Sequence, residues 1–488
     1  MKKIITAILA GVSALLVGCS DIVTGTENMS SENSQRRQAL AFYAGTGDYT
    51  ASKSEMEANL VSFLTTSESD RSITNASNYE FTLIATDTVE TAKDVTARSA
   101  TVDSFDDVDL YLYNMKNSAD GTEGFAITST DRRIGTVLAF VPQGAIEDVE
   151  ENPFLEVFFD NLEEYIDETV EIWNDLSDEE ITQSRESARG SYSKYGEGNE
   201  YYFSDFKYNT GNLAHILVTK WDQHSPFNDV INEIKNDGNS YPAGCGPIAM
   251  AQILTTIRPF SKCNLKGYTN VIFNWDKMVE PNYAFQGTNQ KKYAVGSYYD
   301  NDTKHQVAVL SYLVGKYMKA SYSTSGTNVK TGAAENFLSS FNIPYISSGY
   351  DYGLIQTSID NACPIYIYGA DEKTSKTKKY KIFGKTVFKT TNHSYSGHFF
   401  VIDGYANFKC TVTDSKENST SLTTDFVHVN CGWQSLSDDG FYLSGIFNTK
   451  NTPYSDSRSK STETTPGYYH WRLSGVYNIG IPIEEDDE

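Results

Sequence analysis

One cysteine carries most of the chemistry suggested by this chain. In YPAGCGPIAMAQILTTI, Cys245 stands between two glycines, just ahead of Pro247 and an apolar stretch that reads as a buried helix. Proline suits a first helical turn because its missing N–H would be unpaired there anyway. The positive end of the helix dipole favours a thiolate at that position. The flanking glycines would let a substrate backbone approach closely. The same pattern also describes a small core cysteine, the commonest fate of a free thiol.

A thiolate nucleophile needs a base. Among seven histidines, His398 opens the run GHFFVIDGY, whose aromatic and β-branched residues predict a buried strand. Strand alternation puts His398, Phe400 and Ile402 on one face and Phe399, Val401 and Asp403 on the other, so Asp403 is not expected to orient His398. A better third partner is Asn430, where a strand in DFVHVNCGWQSLSDDGFYL ends. Its amide could fix the imidazole tautomer, with Trp433 shielding that bond from water. A core histidine, a turn-capping asparagine and a packed tryptophan explain each residue equally well when taken singly.

The elements that would position these residues occupy the second half of 488 residues, a length that suggests two or three domains. With 13% aromatic and 39% hydrophobic residues the chain is too rich in core formers to be disordered. Its formal net charge of −24 argues against a nucleic-acid partner, which would demand clustered Lys and Arg. That charge is concentrated in one half: residues 21–200 carry 37 acidic and 12 basic groups, whereas 201–488 carry 27 and 26. Within 147–180, Phe154, Val157, Phe158, Leu162, Tyr165, Ile166 and Val170 recur every three or four residues, predicting an amphipathic acidic helix. Strand-like runs over 111–144, with turn signals at Asp120-Gly121 and Glu123-Gly124, predict a small α+β unit. Residues 184–203 have no apolar period and read as an exposed linker, the kind of segment where proteolytic cuts concentrate.

The chain begins MKKIITAILAGVSALLVGCS, two lysines followed by an apolar run and a small residue before Cys19. This is the pattern of an export signal. LVGC resembles the lipobox of bacterial lipoproteins, in which Cys19 would be acylated and would anchor the chain to a membrane of the cell envelope. Five further cysteines remain, an odd number at wide spacing. No zinc-ligand spacing occurs, so neither a metal nor a cofactor is expected.

Taken in order, these motifs resemble the streptopain family of cysteine peptidases. GCGPIAMAQIL is similar to its nucleophile motif, GHFFVIDGY to its histidine motif and HVNCGWQSLSDDGFYL to its asparagine–tryptophan motif; TKWDQHSPFN, FNWDKM and CPIYIYG extend the likeness. GFAITSTDRRIGTVLAF is similar to the family's propeptide. Cys431 and Pro247-Ile248 depart from the usual pattern. The resemblance implies an α+β, papain-like catalytic domain over 213–483, preceded by a signal at 1–18, an acidic pro-domain at 19–183 and a linker at 184–212, and followed by an acidic tail at 484–488. It implies a zymogen that hydrolyses peptide bonds through Cys245 and His398, with its own pro-domain as intramolecular inhibitor and protein or peptide substrates as partners. The oxyanion would be held by the Cys245 N–H and a side-chain amide from Gln223 or Asn239. The competing readings are a Cys-His amidase of cell-wall peptides and a catalytically silent binding lipoprotein.

Overall fold

A computed structural model describes residues 28–482 apart from 66–78, 92–102, 119–120, 145–152, 188–200, 204–206, 212–214, 285–291, 372–378, 384, 389–397, 415–418, 433–438 and 449–470. Cys19, the export signal, Trp433 and the acidic tail therefore lie outside the described residues. Among those described, no helix is long and apolar enough to cross a membrane.

The N-terminal unit builds four helices and four strands: α1 (Asn28–Thr46), α2 (Lys53–Thr65), β1 (Tyr79–Val89), β2 (Val108–Asn117), β3 (Glu123–Ser129), β4 (Val137–Val141), α3 (Pro153–Asp175) and α4 (Asp178–Ser187). The predicted acidic helix is α3. Its seven periodic apolar residues are all buried, and Pro153 occupies its first position. The helical run breaks at Ser177, whose N–H and hydroxyl both donate to Glu180 while its own oxygen accepts from the Glu180 N–H. That reciprocal capping starts α4 as a separate helix.

Glu123-Gly124, expected to form a turn, instead belongs to β3. A side chain at Gly124 would lie 2.3 Å from the Val141 carbonyl oxygen, so glycine is needed for strand contact and not for a reversal. The DRR triplet of the propeptide-like motif braces this unit. Arg132 pairs with Asp48 and Glu55, and Arg133 pairs with Asp131 while its guanidinium lies 3.6 Å from the Phe105 ring centre.

The second half of the chain contributes the nucleophile helix (Cys245–Ile257), a long buried helix (Asn301–Tyr317), and most strands of the main sheet. These strands are Ile346–Gly349, Ile365–Asp371, the histidine strand Phe399–Asp414, the asparagine strand Ser419–Asn430, and Gly440–Leu443; a sixth, Trp471–Tyr477, closes the set. They join β1–β4 in one antiparallel sheet, in the order β1, β2, β3, β4, Gly440–Leu443, asparagine strand, histidine strand, Ile365–Asp371, Trp471–Tyr477, Ile346–Gly349. Tyr201–Phe203 and Lys207–Gly211 also pair with the histidine strand, so the predicted linker becomes sheet well before residue 212.

Two cores lie on opposite faces of this sheet. The first joins the nucleophile helix and Asn301–Tyr317 to Tyr366, Tyr368, Phe399, Val401 and Val476. The second joins α1–α3 and β2–β4 to Phe400, Ile402, Phe408, Phe426, Tyr442 and Phe447. The expected alternation along the histidine strand thus separates Phe399 and Val401 from Phe400 and Ile402.

Candidate active site

Cys245 is the first residue of its helix, preceded by Gly244 at φ 96°, a conformation that L side chains rarely adopt. A side chain at Gly244 would also meet Thr327 at 2.7 Å. The Cys245 thiol is half-buried against the histidine strand. Burial pushes its pKa up, and the backbone N–H groups of Phe399, Gly246 and Cys245 itself oppose that rise. Buried donors converging on the sulfur are what a thiolate would need.

His398 lies immediately before the strand, with only 2% of its surface exposed. Its backbone therefore adjoins Phe399, which faces the thiol, but its ring turns to the opposite face. There it lies 6.4 Å from the ring of Phe154 in α3 and 6.2 Å from that of Phe400. Among the described residues its Nε2 has no hydrogen-bond partner. Burial alone lowers its pKa to about 4. The thiolate–imidazolium pair implied by the motifs is thus not formed in this structure, and burial disfavours the charged form of both groups.

The structure also redirects the expected third partner. Asn430 is buried at the end of its strand, but it does not meet His398. Its Oδ1 accepts from Gln252 Nε2 at 3.1 Å and from the Gly432 N–H at 3.2 Å, and its Nδ2 donates to the Thr219 carbonyl at 3.1 Å. Strand register explains this, since Asn430 pairs with Val401 and therefore belongs to the Phe399 face. Gln252 ties the arrangement together by also accepting from the Thr219 hydroxyl at 2.9 Å. Gln252 lies on the nucleophile helix, two turns beyond Cys245. A lone amide in an otherwise apolar helix was the available signal for it.

Gln223 is buried, and its carbonyl accepts the N–H of Ala243, two residues before Cys245, at 2.7 Å. Asn239 instead lies in an exposed turn whose N–H is bound by Asp237 at 3.0 Å. A solvated turn does not pre-organise an oxyanion donor, so of the two amides Gln223 is the better placed.

Asp403 has a role the sequence did not reveal. It receives His428 Nδ1 at 2.6 Å and His215 Nδ1 at 3.1 Å, one on each oxygen, together with the Leu217 N–H at 3.0 Å. The two imidazoles stack with centres 4.1 Å apart and planes within 4°. Burial works to raise the Asp403 carboxyl, but His428 and His215 outweigh it and hold it well below the ordinary range. Parallel rings cannot both aim their in-plane lone pairs at one ion between them, so these residues fit a carboxylate bridging two imidazoles better than a metal centre. Beside it, Lys220 lies 3.8 Å from Asp439, which accepts the N–H of Cys431 at 2.8 Å.

Residues 221–442 match the model of the Peptidase C10 family. Over that stretch the chain is similar to the streptopain family of cysteine peptidases. A nucleophile helix packed against an antiparallel sheet that carries the histidine fits a papain-like α+β core. Among solved structures, the chain is similar to a mutant prointerpain A fragment of Prevotella intermedia at 18% identity, covering 82% of this chain and 100% of that one with a TM-score of 0.42. It is also similar to active interpain A cysteine protease of the same organism at 17% identity, covering 55% and 95% with a TM-score of 0.32. No curated protein matches. The peptidase thus has its nucleophile on one sheet face and its histidine ring on the other.

Proposed function

We propose that this peptidase is an endopeptidase zymogen, exported and held to the cell envelope by lipid on Cys19, and latent while the N-terminal unit covers its sheet. The observation that carries this reading is the ring of His398 against Phe154 while the backbone next to it touches the Cys245 thiol. In this reading activation re-orients the segment at His398, just ahead of its strand, so that the ring reaches the Phe399 face. Once the ring crosses to the Phe399 face it can take the thiol proton. The thiolate then adds to the scissile carbonyl, the imidazolium protonates the leaving amine, and water activated by the imidazole hydrolyses the acyl-enzyme. The Cys245 N–H and Gln223 supply the oxyanion donors, and Asn430 holds the nucleophile helix to the asparagine strand through Gln252. The lipobox-like LVGC supports the anchor.

The test is incubation of residues 20–488 and the Cys245→Ala variant under reducing conditions, with casein hydrolysis and intact mass followed together. Maturation and casein cleavage by the unsubstituted chain alone are expected. Casein cleavage by Cys245→Ala would contradict the assignment of the nucleophile. For the anchor, metabolic labelling with a radioactive fatty acid is expected to mark the full chain and not its Cys19→Ser variant.

A further inference from the structure

We infer that cutting the linker does not part the two units: the N-terminal unit stays on the catalytic sheet as a separate, non-covalently held subunit, and latency outlasts the cut. This rests on the zymogen reading above and concerns the partner of the surface beneath His398.

Three features make the contact a shared interior. First, β4 pairs directly with Gly440–Leu443, with Phe140 opposite Phe441 and Ala139 opposite Tyr442, so the sheet runs unbroken from one unit to the other. Gly440 permits this approach, since a Cβ there would lie 2.5 Å from the Phe140 carbonyl oxygen. Second, Phe63 of α2 is 1% exposed and sits among rings of the catalytic strands, 4.3 Å from Phe408, 4.9 Å from Phe426 and 6.0 Å from Phe441. Third, Phe154 of α3 is fully buried against Phe400, Tyr442 and Phe447 as well as His398. Phe154 and these catalytic rings belong to one continuous core.

A linker contributes only effective concentration to such a contact. What remains after cleavage is an interface built like a domain core cut in half, the kind found between obligate partners. The residues on either side of 188–200 are also tied down. On one side Arg37 of α1 holds Glu180 of α4; on the other, Tyr201–Phe203 pairs with the histidine strand. A cut between them therefore frees no strand and uncovers none of the apolar face. Activation requires that the N-terminal unit itself be unfolded or digested, and until then the catalytic unit also stays on whatever anchor the N-terminus carries.

The experiment uses the full chain with a site-specific protease sequence inserted between Ser191 and Tyr192, in both the Cys245→Ala and the unsubstituted background. After complete cutting, the two Cys245→Ala fragments are expected to co-elute in gel filtration and to give a one-to-one complex in native mass spectrometry, separating only in denaturant. Gly440→Val, which crowds the β4 pairing, is expected to let them separate at lower denaturant. In the unsubstituted chain, casein hydrolysis measured at once after linker cutting is expected to stay below about a tenth of that reached once the N-terminal fragment is degraded. Independent elution of the fragments in buffer, or activity that rises in step with the linker cut, would overturn the inference. Absence of casein hydrolysis after the N-terminal fragment has been degraded would count against the peptidase reading, while co-elution in Cys245→Ala reports on retention regardless.

Discussion

The two faces of the central sheet are built on different terms. The nucleophile face is local: one apolar helix, its glycine-flanked start and the N–H of Phe399 come from the catalytic half of the chain and already surround the thiol. The histidine face is borrowed. His398 rests against a core most of whose side chains belong to the N-terminal unit, and its low pKa follows from its burial there. The contrast shows how a peptidase can be folded around its nucleophile and still be switched off, because the second reacting group is stored on the far side of the same strand.

The sharpest way to break the contrast is at the thiol. Cys245→Ala is expected to lower peptidase activity by several orders of magnitude, since the covalent route is lost, and to leave the melting temperature close to that of the unsubstituted chain. A variant with substantial activity would place the nucleophile elsewhere. Next in size is Asp403→Asn. Removing a buried charge that bridges two histidines is expected to destabilise the fold by about 3–5 kcal/mol, read from urea unfolding of the Cys245→Ala chain. A change near zero would mean the stacked pair does not depend on the carboxylate.

Phe154→Ala tests the borrowed face. A buried phenylalanine truncated to alanine costs about 3–5 kcal/mol. The informative result is a faster alkylation of Cys245 in the full chain, because the lost ring opens space for His398 to leave. Unchanged alkylation would show that Phe154 only packs.

Acidification acts on the same contact. A base whose folded pKa is depressed refuses a proton that the opened state would accept, so the covered state loses stability as pH falls from about 6.5 toward 4. At pH 5 the loss is about 2 kcal/mol. Glu180, lowered to about 2 by its hydrogen bond from Arg37, loses its stabilisation only below the ordinary carboxylate range, so it does not mask this window. Self-processing is therefore expected to quicken between pH 6.5 and 5, and in His398→Phe the pH-dependent part of opening, read as protease susceptibility, should vanish. The smallest effect is expected from Arg37→Ala. Its partly exposed pairing with Glu180 contributes at most about 1 kcal/mol, detectable as a slight shift in urea midpoint.

Much of this was legible in the residues themselves. The stripe from Phe154 to Val170 forms a helix with every apolar member buried, Cys245 begins its helix, and the histidine strand divides its side chains between two faces as the alternation requires. These are local periodicities, and local rules read them. What the sequence hid depends on long-range pairing. Nothing near Asn430 indicates that Gln252 and Thr219, 178 and 211 positions away, will saturate its amide. Nothing near His398 indicates a ring from residue 154. The segment after residue 200 lacks an apolar period because it is an added strand on the rim of another, held by backbone hydrogen bonds that leave little mark on side-chain composition.

The most direct test is the pH dependence of Cys245 alkylation by iodoacetamide in the full chain, compared with the same protein after its N-terminal unit has been digested away. If His398 is stored on the far face, the covered thiol will react slowly and only as pH rises into the alkaline range. The uncovered one will react quickly from mildly acidic pH, an acidic limb that His398→Ala removes. Rapid alkylation at acidic pH in the full chain, before any cleavage, would contradict the separation of thiol and imidazole on which the account rests.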